Sequence, residues 1–247
     1  SGLQTKAELS GDEYILNGNK MWITNGSIAD VAVVWARCEG EIMGFIVEKD
    51  TPGFTTSLQK GKWSLNASVT SELHFEDCRI PAENLLPATK GIKAPLMCLN
   101  QARYGIAWGA VGAAMACYSE ALDYSRSRIQ FGAPIASYQL VQQKLVGMLS
   151  DITASQLRCY RLGLLKEEGK VRPQQISLAK RDNVAMALEA ARATRDILGA
   201  NGITEEYQCG RHLRNLESVK TYEGTHDIHT LVLGEDVTGI PAYSNNS

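Results

Sequence analysis

Leu140-Val141-Gln142-Gln143-Lys144-Leu145-Val146-Gly147-Met148-Leu149-Ser150-Asp151-Ile152 is the stretch that decides the architecture of this chain. Its apolar residues return at spacings of three and four, through Val141, Leu145, Met148, Leu149 and Ile152. That lines one face of an α-helix and leaves the polar residues on the other. Gly132 and Pro134 break the chain before it, Ser137 has the side chain of an N-cap, and Gly169 closes it. The spacing therefore predicts a helix over 137–168. Pro173 suits the first turn of the next helix, predicted over 174–199. The same period predicts a helix over 94–127 and two shorter ones over 206–220 and 226–236. Long helices with short connections predict an antiparallel bundle.

Toward the N-terminus the period changes. Tyr14-Ile15-Leu16 and Lys20-Met21-Trp22-Ile23-Thr24 read as strands on either side of Asn17-Gly18, a strong hairpin-turn signal. Further strands are predicted from Val31 to Ala36, Gly44 to Glu48 and Ser71 to Phe75, with turns at Asp50-Thr51-Pro52-Gly53 and Lys60-Gly61. Short strands at this spacing predict a sandwich or barrel. The change of texture places a boundary in Pro87-Ala88-Thr89-Lys90-Gly91. The expected class is α+β, with a β-domain over 1–90 and a helical domain over 91–247.

The 247 residues are 44% hydrophobic with a formal charge of −2, and this balance gives no electrostatic footprint for nucleic acid. No apolar run approaches membrane-spanning length, so neither a nucleic acid nor a membrane is an expected partner. The six cysteines form no CxxC pair and read as unpaired thiols. The chain opens with Ser1-Gly2-Leu3 leading directly into strand-like sequence, as if cut from something longer.

Four stretches can carry chemistry. Thr221-Tyr222-Glu223-Gly224-Thr225-His226-Asp227 lies between two predicted helices, where rigid elements hold a carboxylate on a loop. Gly224 permits close backbone approach, and Thr225 can cap the helix that follows, whose N-terminus favours an anion. By itself a Glu before Gly-Thr is more often a solvated loop carboxylate. Arg126-Ser127-Arg128-Ile129-Gln130-Phe131-Gly132 sits at a helix end, where its cations complement the helix dipole or grip a pyrophosphate, with Phe131 against an aromatic ring system. Gly199-Ala200-Asn201-Gly202 is either a plain helix terminus or a place for a cofactor to approach the backbone. In Trp22-Ile23-Thr24-Asn25-Gly26 a strand ends in a turn, and Trp22 taken alone reads as core. His226 and His229 have a metal-compatible spacing but no third ligand nearby in sequence, so no metal is expected.

Together these stretches resemble the acyl-CoA dehydrogenase family, in the order that family uses. Lys20 to Asn25 is similar to its middle-domain motif, and Glu72-Leu73-His74-Phe75-Glu76-Asp77-Cys78-Arg79-Ile80-Pro81 to the strand leading out of that domain. Arg128-Ile129-Gln130-Phe131-Gly132 is similar to its RxQFG element. Asp196 to Asn215 resembles its C-terminal glycine signature, with Ala200 where glycine or serine is usual. The likeness runs from about Leu3 to Ile240. Asn100 to Gly109, Asn215-Leu216-Glu217, Thr221 to His229 and Asp196 resemble the glutaryl-CoA dehydrogenase branch. The resemblance implies a β middle domain and a C-terminal four-helix domain, with the family's N-terminal helical domain missing.

It also implies that FAD is the cofactor and an acyl-CoA thioester the substrate. Glu223 would remove the α-proton while the β-hydride passes to FAD. Trp22, Ile23 and Thr24 would line the flavin. Arg128, Gln130, Phe131, Gln139, Asp196, Ile197, Leu198, Gly199, Ala200, Thr225 and Asp227 would hold the rest of FAD. Leu99, Asn100, Arg103 and Gly224 would contact the CoA or acyl chain; Arg103 also reads as an ordinary helix-surface cation. With glutaryl-CoA, loss of CO2 and protonation would yield crotonyl-CoA. An electron-transfer flavoprotein as acceptor and a homotetramer are further implications, in the cytoplasm of a bacterium or the mitochondrial matrix of a eukaryote. A short-chain or non-decarboxylating acyl-CoA dehydrogenase, an acyl-CoA oxidase and a catalytically inactive helical binding module are the alternatives.

Overall fold

A computed structural model describes residues 2–242. The chain divides into two compact units, Ser1–Cys98 and Leu99–Ser247. In the first unit the strands are β1 (Lys6–Ser10), β2 (Glu13–Thr24), β3 (Val31–Cys38), β4 (Glu41–Glu48), β5 (Phe54–Leu58) and β6 (Thr70–Pro81). They form one mixed sheet in the order β4-β3-β1-β2-β6-β5, antiparallel except for β1 beside β3. One core cluster draws Val34, Ala36, Phe45 and Val47 from one end of that order and Leu73, Phe75, Cys78 and Ile80 from the other. A sheet whose distant strands share a core must curl on itself.

The predicted hairpin at Asn17-Gly18 does not form. β2 runs through it, and the tight turn lies one strand-length earlier, at Gly11-Asp12, where Ser10 pairs with Glu13. Gly18 instead marks a register shift between β2 and β6. Its φ is +133°, and a Cβ there would stand 2.8 Å from Thr5 Cα. Glycine is demanded by a bulge against the neighbouring strand rather than by a turn.

The helical unit contains α1 (Lys93–Ser127, whose first turns belong to the first unit), α2 (Gln139–Glu167), α3 (Pro173–Ile197), α4 (Cys209–Thr221) and α5 (His226–Thr238). α3 packs against α2, α4 and α5. The main core joins Ala110, Ala114, Cys117 and Ala121 of α1 to Leu145, Met148 and Ile152 of α2 and Val184, Ala187, Leu188 and Ala191 of α3. The small residues on α1 and α3 let helix backbones approach closely. Pro173 stands at the start of α3, and Gln175 Oε1 reaches back to accept from the Arg172 N–H at 2.8 Å, the N3 half of a capping box. Ser137 is not the N-cap of α2. It lies in a short 3-10 turn with its hydroxyl donating to Pro134 O at 2.7 Å, and Tyr138 occupies the cap position. Among the described residues no helix is long and apolar enough to cross a membrane.

Candidate functional site

The loop between α4 and α5 gathers groups that are far apart in sequence. Tyr222 ends α4, its N–H donating to Ser218 O at 2.9 Å. Glu223 and Gly224 then take φ of +54° and +95°, both left-handed. Such a conformation costs a residue with a Cβ about 1–2 kcal/mol, so the surroundings must hold Glu223 there. They do so through three successive carbonyls. Lys180 Nζ, from α3, donates to Tyr222 O at 2.9 Å and to Gly224 O at 2.8 Å. Arg103 Nε, from α1, donates to Glu223 O at 2.7 Å across 120 residues of sequence. Thr225 caps α5, its hydroxyl accepting from the Ile228 N–H at 3.1 Å.

With its backbone pinned, the Glu223 side chain remains uncommitted: its Oε2 is buried and has no hydrogen-bond partner among the described residues. A buried carboxylate oxygen without a partner is costly, and such atoms point to a ligand or a chemical role. Gly224 leaves no room for a side chain, because a Cβ would lie 2.9 Å from His229 Nε2 and 3.3 Å from Arg103 Nη2. His229 is 1% exposed, and neither ring nitrogen makes a well-formed hydrogen bond among the described residues, though the nearby Glu223 backbone favours the charged ring. Burial, with the nearby Lys180 and Arg103 charges, pushes its pKa down to about 4, so the ring is neutral. Burial and the Arg103 charge lower Lys180 to about 8, against an opposing pull from Glu223. Arg103 is likewise lowered by burial and pulled back by Glu223.

Arg103 is thus a loop anchor and not a solvated surface cation. Leu99 and Asn100 are half-buried one turn before it on α1. Asp227 sits exposed in the first turn of α5, where its charge complements the helix dipole. Among the described residues no group of three or more His, Cys, Asp or Glu, His226 and His229 included, is placed to hold a metal ion.

The remaining candidates fall at three further places. Ile129-Gln130 pairs with Ala133-Pro134, and Phe131 and Gly132 turn between them at φ of +52° and +80°. Phe131 is 95% exposed, and Arg128 is exposed beside it. Gln139 is exposed at the first residue of α2. At the end of α3, Asp196 forms ion pairs with Lys144 and Arg195, which hold its carboxyl below the usual range. Ile197 and Leu198 turn into the core, while Gly199, at φ +60°, and Ala200 are exposed. A cavity of about 650 Å³ at this end of α3 is lined by Arg195, Gly202, Gln208, Arg211 and Arg214 among others. In the first unit, Ile23 and Thr24 line an apolar cavity of about 400 Å³ with Lys20, Val33, Trp35 and Leu73. Trp22 is not core: it is 59% exposed at φ +63°, held outward at a register shift of β2.

In each unit taken by itself, an exposed aromatic ring on left-handed backbone, Trp22 in the first and Phe131 in the second, suits contact with a planar ring system. The exposed Arg128 beside Phe131 suits an anionic group, so the residues present are compatible with a flavin cofactor. Sequence reasoning missed Lys180 and His229 as site-building groups. A signal was available: Lys180 and Asn183 fall on the buried stripe of α3 with Ile176, Val184, Ala187 and Ala191, where a cation demands partners.

Residues 89–238 match the acyl-CoA dehydrogenase C-terminal domain and residues 1–78 the acyl-CoA dehydrogenase middle domain. A glutaryl-CoA dehydrogenase from Mycobacterium smegmatis is similar at 52% identity with a TM-score of 0.97, over 98% of this chain and 63% of that one. A structure of a glutaryl-CoA dehydrogenase from the same organism in complex with FADH2 is 48% identical, again with a TM-score of 0.97 and the same coverage. The short-chain-specific acyl-CoA dehydrogenase of Megasphaera elsdenii is 37% identical over 95% of this chain and 63% of its own length. The chain thus spans about three-fifths of the length of the relatives it matches. Two domain matches that together take in nearly all of the sequence, with the fold they require, place this chain in the acyl-CoA dehydrogenase family.

Proposed function

We propose that the protein carrying this chain is an FAD-dependent acyl-CoA dehydrogenase that oxidises glutaryl-CoA and releases CO2 to give crotonyl-CoA. The observation that carries this is the buried, unpartnered Glu223 Oε2 on a loop whose three carbonyls are pinned by Lys180 and Arg103. A thioester α-proton is only weakly acidic, so its removal needs a base held at bonding distance and donors for the developing enolate oxygen. Glu223 takes that proton onto its carboxylate, and the donors cradling the loop keep it from swinging into water. FAD, when bound, accepts the hydride from the β-carbon. Trp22, Ile23 and Thr24 contribute to its ring site. Arg128, Gln130, Phe131, Gln139, Asp196 to Ala200, Thr225 and Asp227 contribute to the rest of the FAD site. Leu99, Asn100 and Gly224 face the substrate.

The substrate assignment rests on the high identity to the two glutaryl-CoA dehydrogenase structures. The M. elsdenii relative favours a second reading, a short-chain monoacyl substrate. Exposed apolar residues on α2, including Leu140, Val146, Leu149, Leu157 and Tyr160, support a homotetramer in which further copies cover them. An electron-transfer flavoprotein is the proposed acceptor.

The test is anaerobic addition of glutaryl-CoA or butyryl-CoA to the FAD-loaded protein while flavin absorbance is followed. Bleaching with glutaryl-CoA and little with butyryl-CoA is expected; the reverse keeps Glu223 and replaces the substrate. Glu223→Gln is expected to retain FAD and lose substrate-driven bleaching. Unchanged bleaching in that variant removes Glu223 as the base.

A further inference from the structure

Lys180 is a cation in the wrong place for a surface residue and in the right place for a loop clamp. It is 1% exposed on the apolar stripe of α3 and, among the described residues, forms no ion pair within 4 Å. Both of its hydrogen bonds go to carbonyls, those immediately before and after Glu223. Its ammonium also lies 6.0 Å from the centre of the Tyr222 ring. A buried ammonium with no carboxylate partner is expensive and is retained only where its donors accomplish something an apolar residue cannot.

We propose that Lys180 is a positioning residue for the proton transfer at Glu223, its ammonium bridging the Tyr222 and Gly224 carbonyls so that the left-handed Glu223 backbone presents the carboxylate in its reacting pose. The inference rests on the reading of Glu223 as the base. Arg103 alone cannot set the loop, because one bond to the Glu223 carbonyl leaves the peptide planes on either side free to rotate. Lys180 fixes both of those planes, and with them the direction of the Glu223 Cα–Cβ bond.

The groups facing Lys180 are Arg103 from α1, Tyr222 and Glu223 from the loop, and His229 from α5. From α2, Arg158 is engaged by Asn183 and Asp182, and on α4 Glu217 is engaged by Arg192. Arg181 is engaged by Asp182 next to it. Burial and the Arg103 charge bring Lys180 to about 8, within the working range of a protein at mildly alkaline pH. Charge-assisted hydrogen bonds are roughly twice as strong as neutral ones, so losing that proton loosens the clamp.

The experiment uses the FAD-loaded protein and whichever of glutaryl-CoA and butyryl-CoA bleaches the parent. Lys180→Met is expected to slow flavin reduction at saturating substrate about a hundredfold, the scale of a 1 Å misplacement of a catalytic group, with the half-saturating concentration changed less than about threefold. Amide deuterium exchange over residues 221–225 should accelerate. The parent's reduction rate should fall on the alkaline side of about pH 8, and Lys180→Arg, which does not titrate there, should lack that limb. A parental rate in Lys180→Met overturns the proposal. If neither variant folds, the parent's own amide exchange decides: residues 221–225 exchanging as fast as unstructured chain overturns it. Glu223→Gln separates the two claims. Bleaching retained there removes the base itself, whereas a dead Glu223→Gln beside a normal Lys180→Met removes only the clamp.

Discussion

His229 makes acid stability a quantitative test of the site's packing. Its folded pKa, about 4, lies below the ordinary 6.5. As pH falls, the unfolded chain therefore takes up this proton first, and stability is lost from about pH 6.5 downward until the folded ring also protonates near 4. One pKa unit corresponds to about 1.4 kcal/mol, so the full penalty is about 3 kcal/mol, of which about 2 kcal/mol has developed by pH 5 and almost none at pH 7.5. His229→Leu removes the titrating group. It also removes two buried nitrogens that make no well-formed hydrogen bond among the described residues, so at pH 7.5 the variant should lie within about 1 kcal/mol of the parent. Urea unfolding of both proteins at pH 7.5 and pH 5 measures the difference directly. His212 and His226, also lowered chiefly by burial, are present in both proteins and cancel. The expected outcome is a variant that loses about 2 kcal/mol less than the parent on acidification. Parallel losses would refute the reasoning, because they would mean the protonated ring finds a partner inside the fold.

Gly53→Ala should destabilise the first unit by about 3 kcal/mol, since φ is +81° and the new Cβ would meet Glu76 O at 2.2 Å; a melting temperature within a degree of the parent's would contradict this contact. Thr225→Ala removes the cap of α5 and should cost about 1 kcal/mol, with Thr225→Ser restoring most of it in the same denaturation assay.

Much of the helical unit was legible in the residues. The predicted helices at 94–127, 137–168 and 174–199 lie within two residues of α1, α2 and α3, because a period of three and four is a local property of a helix that buries one face. The Thr225 cap was legible for the same reason: its partner is three residues away. Single-residue cap assignments were weaker. Ser137 has a suitable side chain, yet the 3-10 turn of residues 135–137 takes its hydroxyl and moves the helix start to Tyr138. Trp22 read as core because tryptophan is apolar, whereas the bulged register of β2 turns it outward.

By themselves, the residues of this chain determined the three long helices and the strand-rich texture of the first unit, though not strands β1 and β5. They also determined that a carboxylate sits on a loop before a helix N-terminus, and which family the motifs resemble. Only the tertiary structure decided that Asn17-Gly18 is a bulge and Gly11-Asp12 the hairpin turn, since a strand's register is set by partners such as Thr5 and Phe75 and not by the dipeptide alone. Only it could bring Arg103 and Lys180 to the carbonyls around Glu223, 120 and more than 40 residues away in sequence. Hydrophobic periodicity reports which face of each element is buried. It carries no information about which polar groups on different elements will meet, and the site is made of those meetings.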